Sequence, residues 1–227
     1  RDNTFEALPG QKIGLCGPTG AGKSTIINIL TRYYDIDSGT ITIDGQNIAD
    51  VTQASLRQSI SAVLQEPFLF SDTVMNNLQY AREGATEEEC IAAAMQANAH
   101  DFIMQLPHGY ATLLTERGSN LSQGQRQMLT IARAMVADPK MLILDEATSN
   151  VDTRTEKLIQ EGLTRLMEGK TSFVIAHRLS TIRDSARILV IDAGVIVEQG
   201  THDELMAQQG FYYRLYMTQF RSRPEAA

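Results

Sequence analysis

The 227-residue sequence has no tryptophan, only two cysteines, six prolines and too few bases to offset its acids. Two cysteines cannot build a disulfide framework; Cys16 and Cys90 read as small buried apolar residues of a chain that suits a reducing compartment. With 20 Lys and Arg against 27 Asp and Glu, the formal charge is -7. That sign argues against a protein whose main task is to neutralise a nucleic-acid backbone, so no nucleic-acid partner is expected. No apolar run approaches the roughly 20 residues that span a bilayer, and the longest clusters, Met141 to Leu144 and Ile188 to Ile191, suit buried strands. No basic-then-apolar leader follows Arg1, and the start reads as cut from something longer. Internal repeats and low-complexity tracts are missing as well.

What remains is ordinary globular text, 43% hydrophobic and 21% charged. A folded surface of roughly 10,000 Å² against roughly 36,000 Å² unfolded buries about 70%, enough for a sizeable core. The length fits one large domain or a domain with a subdomain.

Strand-like and helix-like segments alternate. Lys12 to Cys16 is a short apolar strand running into a glycine-rich turn, and Lys23 to Tyr34 has helical spacing through Ile26, Ile27 and Leu30. Thr40 to Ile43 alternates with period two before Asp44-Gly45 and reads as an antiparallel strand near the sheet edge; Ser61 to Gln65 is a further short strand. Ser71 to Ala137 is helical text. Within it, Thr86 and Glu89 form a capping-box pattern, and Glu87 to Glu89 marks a helix start rather than a metal site. Strand text returns at Met141 to Leu144, Ser172 to Ala176, Ile188 to Ile191 and Val195 to Val197, with helical Arg154 to Met167 between the first two. This alternation predicts a mainly parallel α/β sheet with an inserted helical subdomain.

Two motifs carry chemistry. Gly17-Pro18-Thr19-Gly20-Ala21-Gly22-Lys23-Ser24 fits GxxxxGK[ST] between a strand and a helix. Its glycines let backbone N–H groups turn toward phosphates at a helix N-terminus, Lys23 supplies a mobile positive charge, and the Ser24 hydroxyl is a hard oxygen ligand for Mg²⁺. Met141-Leu142-Ile143-Leu144 runs into Asp145-Glu146, two carboxylates at the C-terminal edge of a buried strand, where open α/β sheets bind ligands. There Asp145 can hold a metal-bound water and Glu146 can orient an attacking one.

Leu121-Ser122-Gln123-Gly124-Gln125, followed by Arg126-Gln127 and lying 145 - 125 = 20 residues before Asp145, resembles the LSGGQ signature of ABC ATPases. Asp145-Glu146-Ala147-Thr148-Ser149-Asn150-Val151-Asp152 is similar to that family's Walker B and D-loop run, and Gln65 and His177 fall where its Q-loop and switch histidine belong. Read on its own, Ser122 is an N-cap and His177 a strand-end residue. The resemblance covers nearly the whole chain. It implies an α/β P-loop NTPase (RecA-like) core with a mainly parallel sheet, an antiparallel β edge and an inserted α-helical subdomain. The chain is then a single domain over residues 1–227, truncated at its N-terminus, with the core at 1–70 and 138–227 and the helical part at about 71–137.

For function, the resemblance implies an ATPase of an exporter similar to multidrug and lipid exporters, on the cytoplasmic face of a membrane, with ATP and Mg²⁺ as cofactors. Its partners are a second nucleotide-binding domain, which closes head-to-tail over two ATP molecules, and a membrane-spanning domain of the same polypeptide. The catalytic set is Glu146, His177, Lys23 and Gln65. Nucleotide contacts come from Gly17 through Ser24, Thr25, Gln65, Asp145 and Asp152, and in trans from Ser122, Gln123, Gly124 and Gln125; the metal ligands are Ser24, Gln65 and Asp145. Thr115-Glu116-Arg117-Gly118 partly matches the exporter X-loop. Two features depart from the pattern. Gln123 stands where the signature has glycine, and the aromatic that stacks on adenine would lie upstream of Arg1, because Phe5 is too close to the P-loop and is expected in the core.

Overall fold

The computed structural model describes residues 3–146 and 151–221. In chain order the elements are β1 (Lys12–Cys16), α1 (Lys23–Leu30), β2 (Thr42–Ile43), β3 (Gln46–Asn47), α2 (Gln53–Gln58), β4 (Ile60–Val63), α3 (Val74–Gln79), α4 (Glu87–Gln96), α5 (His100–Gln105), α6 (Gln123–Ala137), β5 (Met141–Glu146), α7 (Thr153–Met167), β6 (Thr171–Ala176), β7 (Arg187–Asp192), β8 (Val195–Gly200), α8 (His202–Gln208) and α9 (Phe211–Arg221). They gather into two compact units. One takes Arg1–Ile60, Met141–Glu146 and Thr171–Ala227; the other takes Ser61–Lys140 and Ala147–Lys170.

In the first unit the strands lie in the order β5-β6-β1-β7-β8. β5, β6, β1 and β7 run parallel, and β8 returns antiparallel to β7. β1 holds the middle because its residues are apolar on both faces. Ile13 and Leu15 join Ile27 and Leu30 of α1, with Ile143, Phe173, Ile175, Leu189 and Ile191, in one buried cluster. Each of these large side chains contributes about 1.5–3 kcal/mol by leaving water. On the opposite face of β1, a Cβ built at Gly14 would meet Ile182 Cβ at 2.7 Å, so the 3₁₀ turn Leu179–Ile182 packs directly on the strand. Phe5 lies half-buried against the cluster, edge-on to Phe173, as expected.

Two sequence expectations are corrected here. α1 stops at Leu30 rather than Tyr34, because Thr31 caps it and Arg32 turns to φ 53°, a backbone held by guanidinium donation to the Ile48 and Val51 carbonyls. Tyr33 and Tyr34, whose apolar rings prolong the helical pattern, stand 65% and 64% exposed. Thr42–Ile43 does not join the main sheet. It pairs with Gln46–Asn47 in a separate two-stranded hairpin around Asp44 and Gly45, both at positive φ, and β8 supplies the antiparallel edge.

The second unit is helical. α4 begins with the expected capping box, Thr86 Oγ accepting from the Glu89 N–H and the Glu89 carboxylate from the Thr86 N–H. α6 packs on α4 and α7, burying Met128, Leu129, Ile131 and Ala132. Among the described residues no helix is long and apolar enough to cross a membrane.

Candidate functional site

The parallel register builds the first half of the site. Asp145 pairs with Ile175 and Leu15 pairs with the same residue, so β5, β6 and β1 end in one row along one sheet edge. The residues that follow that row are Glu146, His177 and the Gly17 loop. Brought to this edge, the Asp145 carboxylate is engaged by the His177 ring, Nε2 to Oδ1 at 2.8 Å, with Asp145 26% and His177 46% exposed. The sequence assigned these residues separate tasks; their mutual contact is a product of strand order. Glu146 closes β5 opposite Ala176, and its side chain, with residues 147–150, lies outside the described residues.

The loop after β1 owes its shape to glycine at one position above all. Gly17 has φ 148°, and a Cβ there would stand 2.0 Å from the Ile191 carbonyl oxygen of β7. Gly22, at φ 104°, occupies the N-cap of α1 without a capping side chain, so the first-turn N–H groups are left to an incoming acceptor. Pro18, Thr19, Gly20, Ser24 and Thr25 are exposed around this opening, whereas Ala21 is buried. Lys23 Nζ donates to the Gly17 carbonyl at 2.7 Å and the Pro18 carbonyl at 2.9 Å, which holds the ammonium inside the loop. Burial lowers the Lys23 pKa, with Cys16 and Asp145 pulling it back up. The Cys16 thiol beneath the loop is pushed up to about 12 by burial, so it is a packing residue and not a nucleophile.

These groups suit a polyphosphate with a hard cation. The Ser24 hydroxyl and the Asp145 carboxylate are the oxygen donors that such a cation takes. With Ser24 and Asp145 as its protein donors, a divalent ion here would be of the kind that phosphates and water hold together with one or two protein oxygens.

The second unit carries the other candidates. Gln65 is exposed just beyond β4. Ser122 is exposed at the N-cap of α6, where its Oγ accepts from the Gln125 N–H and Gln125 Oε1 accepts from the Ser122 N–H. The hydroxyl and the Gln125 amide thus form a reciprocal capping box. Gln123 is half-buried at the first helical position. Gly124 is a packing requirement: a Cβ there would meet Thr155 Cγ2 of α7 at 2.3 Å. Asp152 caps α7 through the Thr155 N–H at 3.0 Å, and its hydrogen bonds to Thr155 hold its carboxyl below the ordinary aspartate value. Glu116 is exposed in a 3₁₀ turn, Glu116–Gly118, where Arg117 takes φ 55°.

Sequence reasoning passed over three residues that shape this unit. Thr155 sets the α6–α7 spacing at Gly124. Arg126 donates to the Leu121 carbonyl at 2.8 Å and braces the turn before α6. Asn77, 1% exposed, holds the Phe70–Thr73 loop by bonding the Phe70 N–H and carbonyl and the Thr73 carbonyl. Asn77 shows in the sequence as an amide among apolar helical positions, and Arg126 as part of the run after Gln125.

Gly124→Ala should cost about 1–3 kcal/mol through overpacking, because the Thr155 side chain is hydrogen-bonded to Asp152 and cannot swing its methyl aside without losing that bond. Thr155→Ser removes that methyl and keeps the hydroxyl, so the double variant should recover most of the loss in a thermal melt. Equal melting of Gly124→Ala and the parent would refute this packing role.

Residues 1–149 match the ABC transporter family. The chain is 54% identical over 216 residues to the ABC transporter ATP-binding protein YfiC of Bacillus subtilis, covering 95% of this chain and 36% of that protein. It is 50% identical over 212 residues to the ATP-dependent lipid A-core flippase of Syntrophus aciditrophicus, covering 93% of this chain and 35% of the flippase. Its fold is similar, at a TM-score of 0.90 and 46% identity, to a bacterial Atm1-family ABC exporter with ATP bound, covering 99% of this chain and 39% of the exporter. The chain thus spans about a third of the length of the curated relatives it matches. A glycine loop and an Asp-Glu strand end on one sheet edge, an N-capped signature helix and these likenesses lead to one assignment: the chain belongs to the ABC transporter family, as one of its ATP-binding domains.

Proposed function

We propose that this chain binds ATP and Mg²⁺ at the sheet edge bearing Lys23, Asp145 and His177, and hydrolyses ATP to ADP and phosphate to power export across a membrane. The observation that carries the reading is the convergence of the Gly17 loop, Asp145 and His177 at the ends of β1, β5 and β6. The likeness to an exporter structure with ATP bound supports it.

The residues then divide the chemistry. The N–H groups from Thr19 to Thr25 and the Lys23 ammonium bind and orient the phosphates. Ser24 and Asp145 would hold Mg²⁺, which would supply charge neutralisation at the phosphate oxygens. Glu146 orients the attacking water and accepts its proton, and His177 bonds the terminal phosphate in exchange for its present bond to Asp145.

The Ser122–Gln125 tip serves the site of a second copy or paralogue, so two nucleotides lie between two such domains. Gln123 adds a side chain at that interface and is compatible with turnover. We assign residues 1–70 and 138–227 to a RecA-like core and about 71–137 to a helical subdomain that rests on a membrane-spanning part of the same polypeptide. The chain itself lies on the cytoplasmic face.

The full-length transporter tests this in two arms. Lys23→Ala removes a charged donor worth about 1.5–3 kcal/mol, so ATP affinity by titration should fall roughly 10- to 150-fold. Ser122→Asp keeps a good N-cap but faces phosphate with a negative charge, so it should fold normally and lose turnover. Full turnover by a strict monomer, or by Ser122→Asp, would overturn the dimeric reading; unchanged ATP affinity in Lys23→Ala would overturn the site.

A further inference from the structure

The 3₁₀ turn Leu179–Ile182 begins two residues after His177, and its N-cap residue, Arg178, offers no side-chain cap. The first N–H of that turn would otherwise lack a partner. It finds one far away in sequence: the Leu179 N–H donates to Gln219 Oε1 of α9 at 3.0 Å, a half-buried bond across 40 residues. The other end of the turn is tied as well, with Lys12 Nζ donating to the Thr181 carbonyl and pairing with Asp184 Oδ1, each at 2.7 Å. Ile182 closes the turn against Gly14 of β1.

α9 is a fixed post for this bond. Glu198 of β8 accepts from the Phe211 and Tyr212 N–H groups at the start of α9. Tyr212 is 0% exposed and Tyr216 8% exposed, and the His202 ring bonds the Tyr212 hydroxyl through Nδ1 at 2.9 Å. Tyr212, Tyr216 and Gln219 stand at i, i+4 and i+7, one face of the helix. Gln219, exposed itself, ends the face that Tyr212 and Tyr216 bury, and its amide oxygen meets a backbone donor there.

Resting on the site reading above, we infer that Gln219 is a positioning residue for ATP hydrolysis. By anchoring Leu179 it fixes the segment that carries His177, and so sets the ring against Asp145 and the terminal phosphate. The C-terminal helix is thereby part of the nucleotide site without touching nucleotide.

The test uses the full-length transporter with Gln219→Leu and Gln219→Glu. Loss of a net-favourable hydrogen bond should speed amide exchange at Leu179 by about 5- to 10-fold and lower kcat by a similar factor, with KM for ATP within about twofold of the parent. Gln219→Glu, which still presents an acceptor oxygen, should restore both. The inference falls if Leu179 exchange in Gln219→Leu is unchanged, if exchange quickens while kcat stays at the parent value, if KM carries the whole loss, or if the Glu variant fails as the Leu variant does. His177→Ala runs beside them: parental turnover in that variant sinks the role given to His177 at the site, whatever Gln219 does.

Discussion

Glu146→Gln in the full-length transporter is expected to lower ATP turnover by about 10²–10⁴-fold, a barrier increase of roughly 3–5 kcal/mol, while ATP binding by titration stays near the parent value. Glutamine keeps the size of the side chain and a carbonyl oxygen but cannot accept the proton that the attacking water sheds. Its backbone is pinned by the β5–β6 register, Glu146 opposite Ala176 and Asp145 opposite Ile175, so the exchange leaves the strand and the Asp145–His177 contact in place. Because the proposed function gives phosphate binding to the Gly17 loop and Lys23, affinity and turnover should separate. Parental turnover would remove Glu146 from the reaction; a matching loss of ATP affinity would make it a binding residue instead.

Gly17→Ala should be the most damaging single methyl in the chain. At φ 148° an L residue is strained by about 1–3 kcal/mol, and the new Cβ would lie 2.0 Å from the Ile191 carbonyl oxygen, a backbone atom of a strand buried on both sides. Relief requires moving β7 or opening the loop, so the total should reach roughly 2–5 kcal/mol. At about 2–4 °C per kcal/mol for a chain of this size, thermal melting of the domain would register it clearly. ATP affinity should fall with it, because the loop leads directly to the N–H groups of α1. Gly20→Ala is the control. It has φ 79° with nothing within 4 Å of a built Cβ, so about 1–2 kcal/mol of strain is all it should cost. Equal melting of the two variants would show that close approach to β7 is not what Gly17 provides.

Much of this arrangement was readable in the text because it is local. Strand-then-glycine-then-Lys-Ser is a property of a dozen consecutive residues, and the apolar run ending in Asp145 and Glu146 predicts its own strand. The capping box at Thr86 and Glu89 is equally local, since each group reaches only three residues away. The end of α1 was misread where Tyr33 and Tyr34 keep the helical rhythm while Arg32 turns the chain by bonding carbonyls of residues 48 and 51. Thr40 to Ile43 was misplaced for a related reason: alternation announces a strand but not its partner.

By itself, then, the sequence determined the elements, the phosphate loop, the carboxylates at the strand end and the family. The tertiary structure decided which of them meet: that Asp145 holds His177, that Gly17 must be glycine because β7 passes beneath it, that Gly124 makes room for Thr155, and that Gln219 closes the turn after His177. The first group rests on periodicity and short-range hydrogen bonding, which act within a few residues. The second rests on excluded volume and on donors left without local partners, and these are satisfied by whatever strand or helix the packing brings alongside.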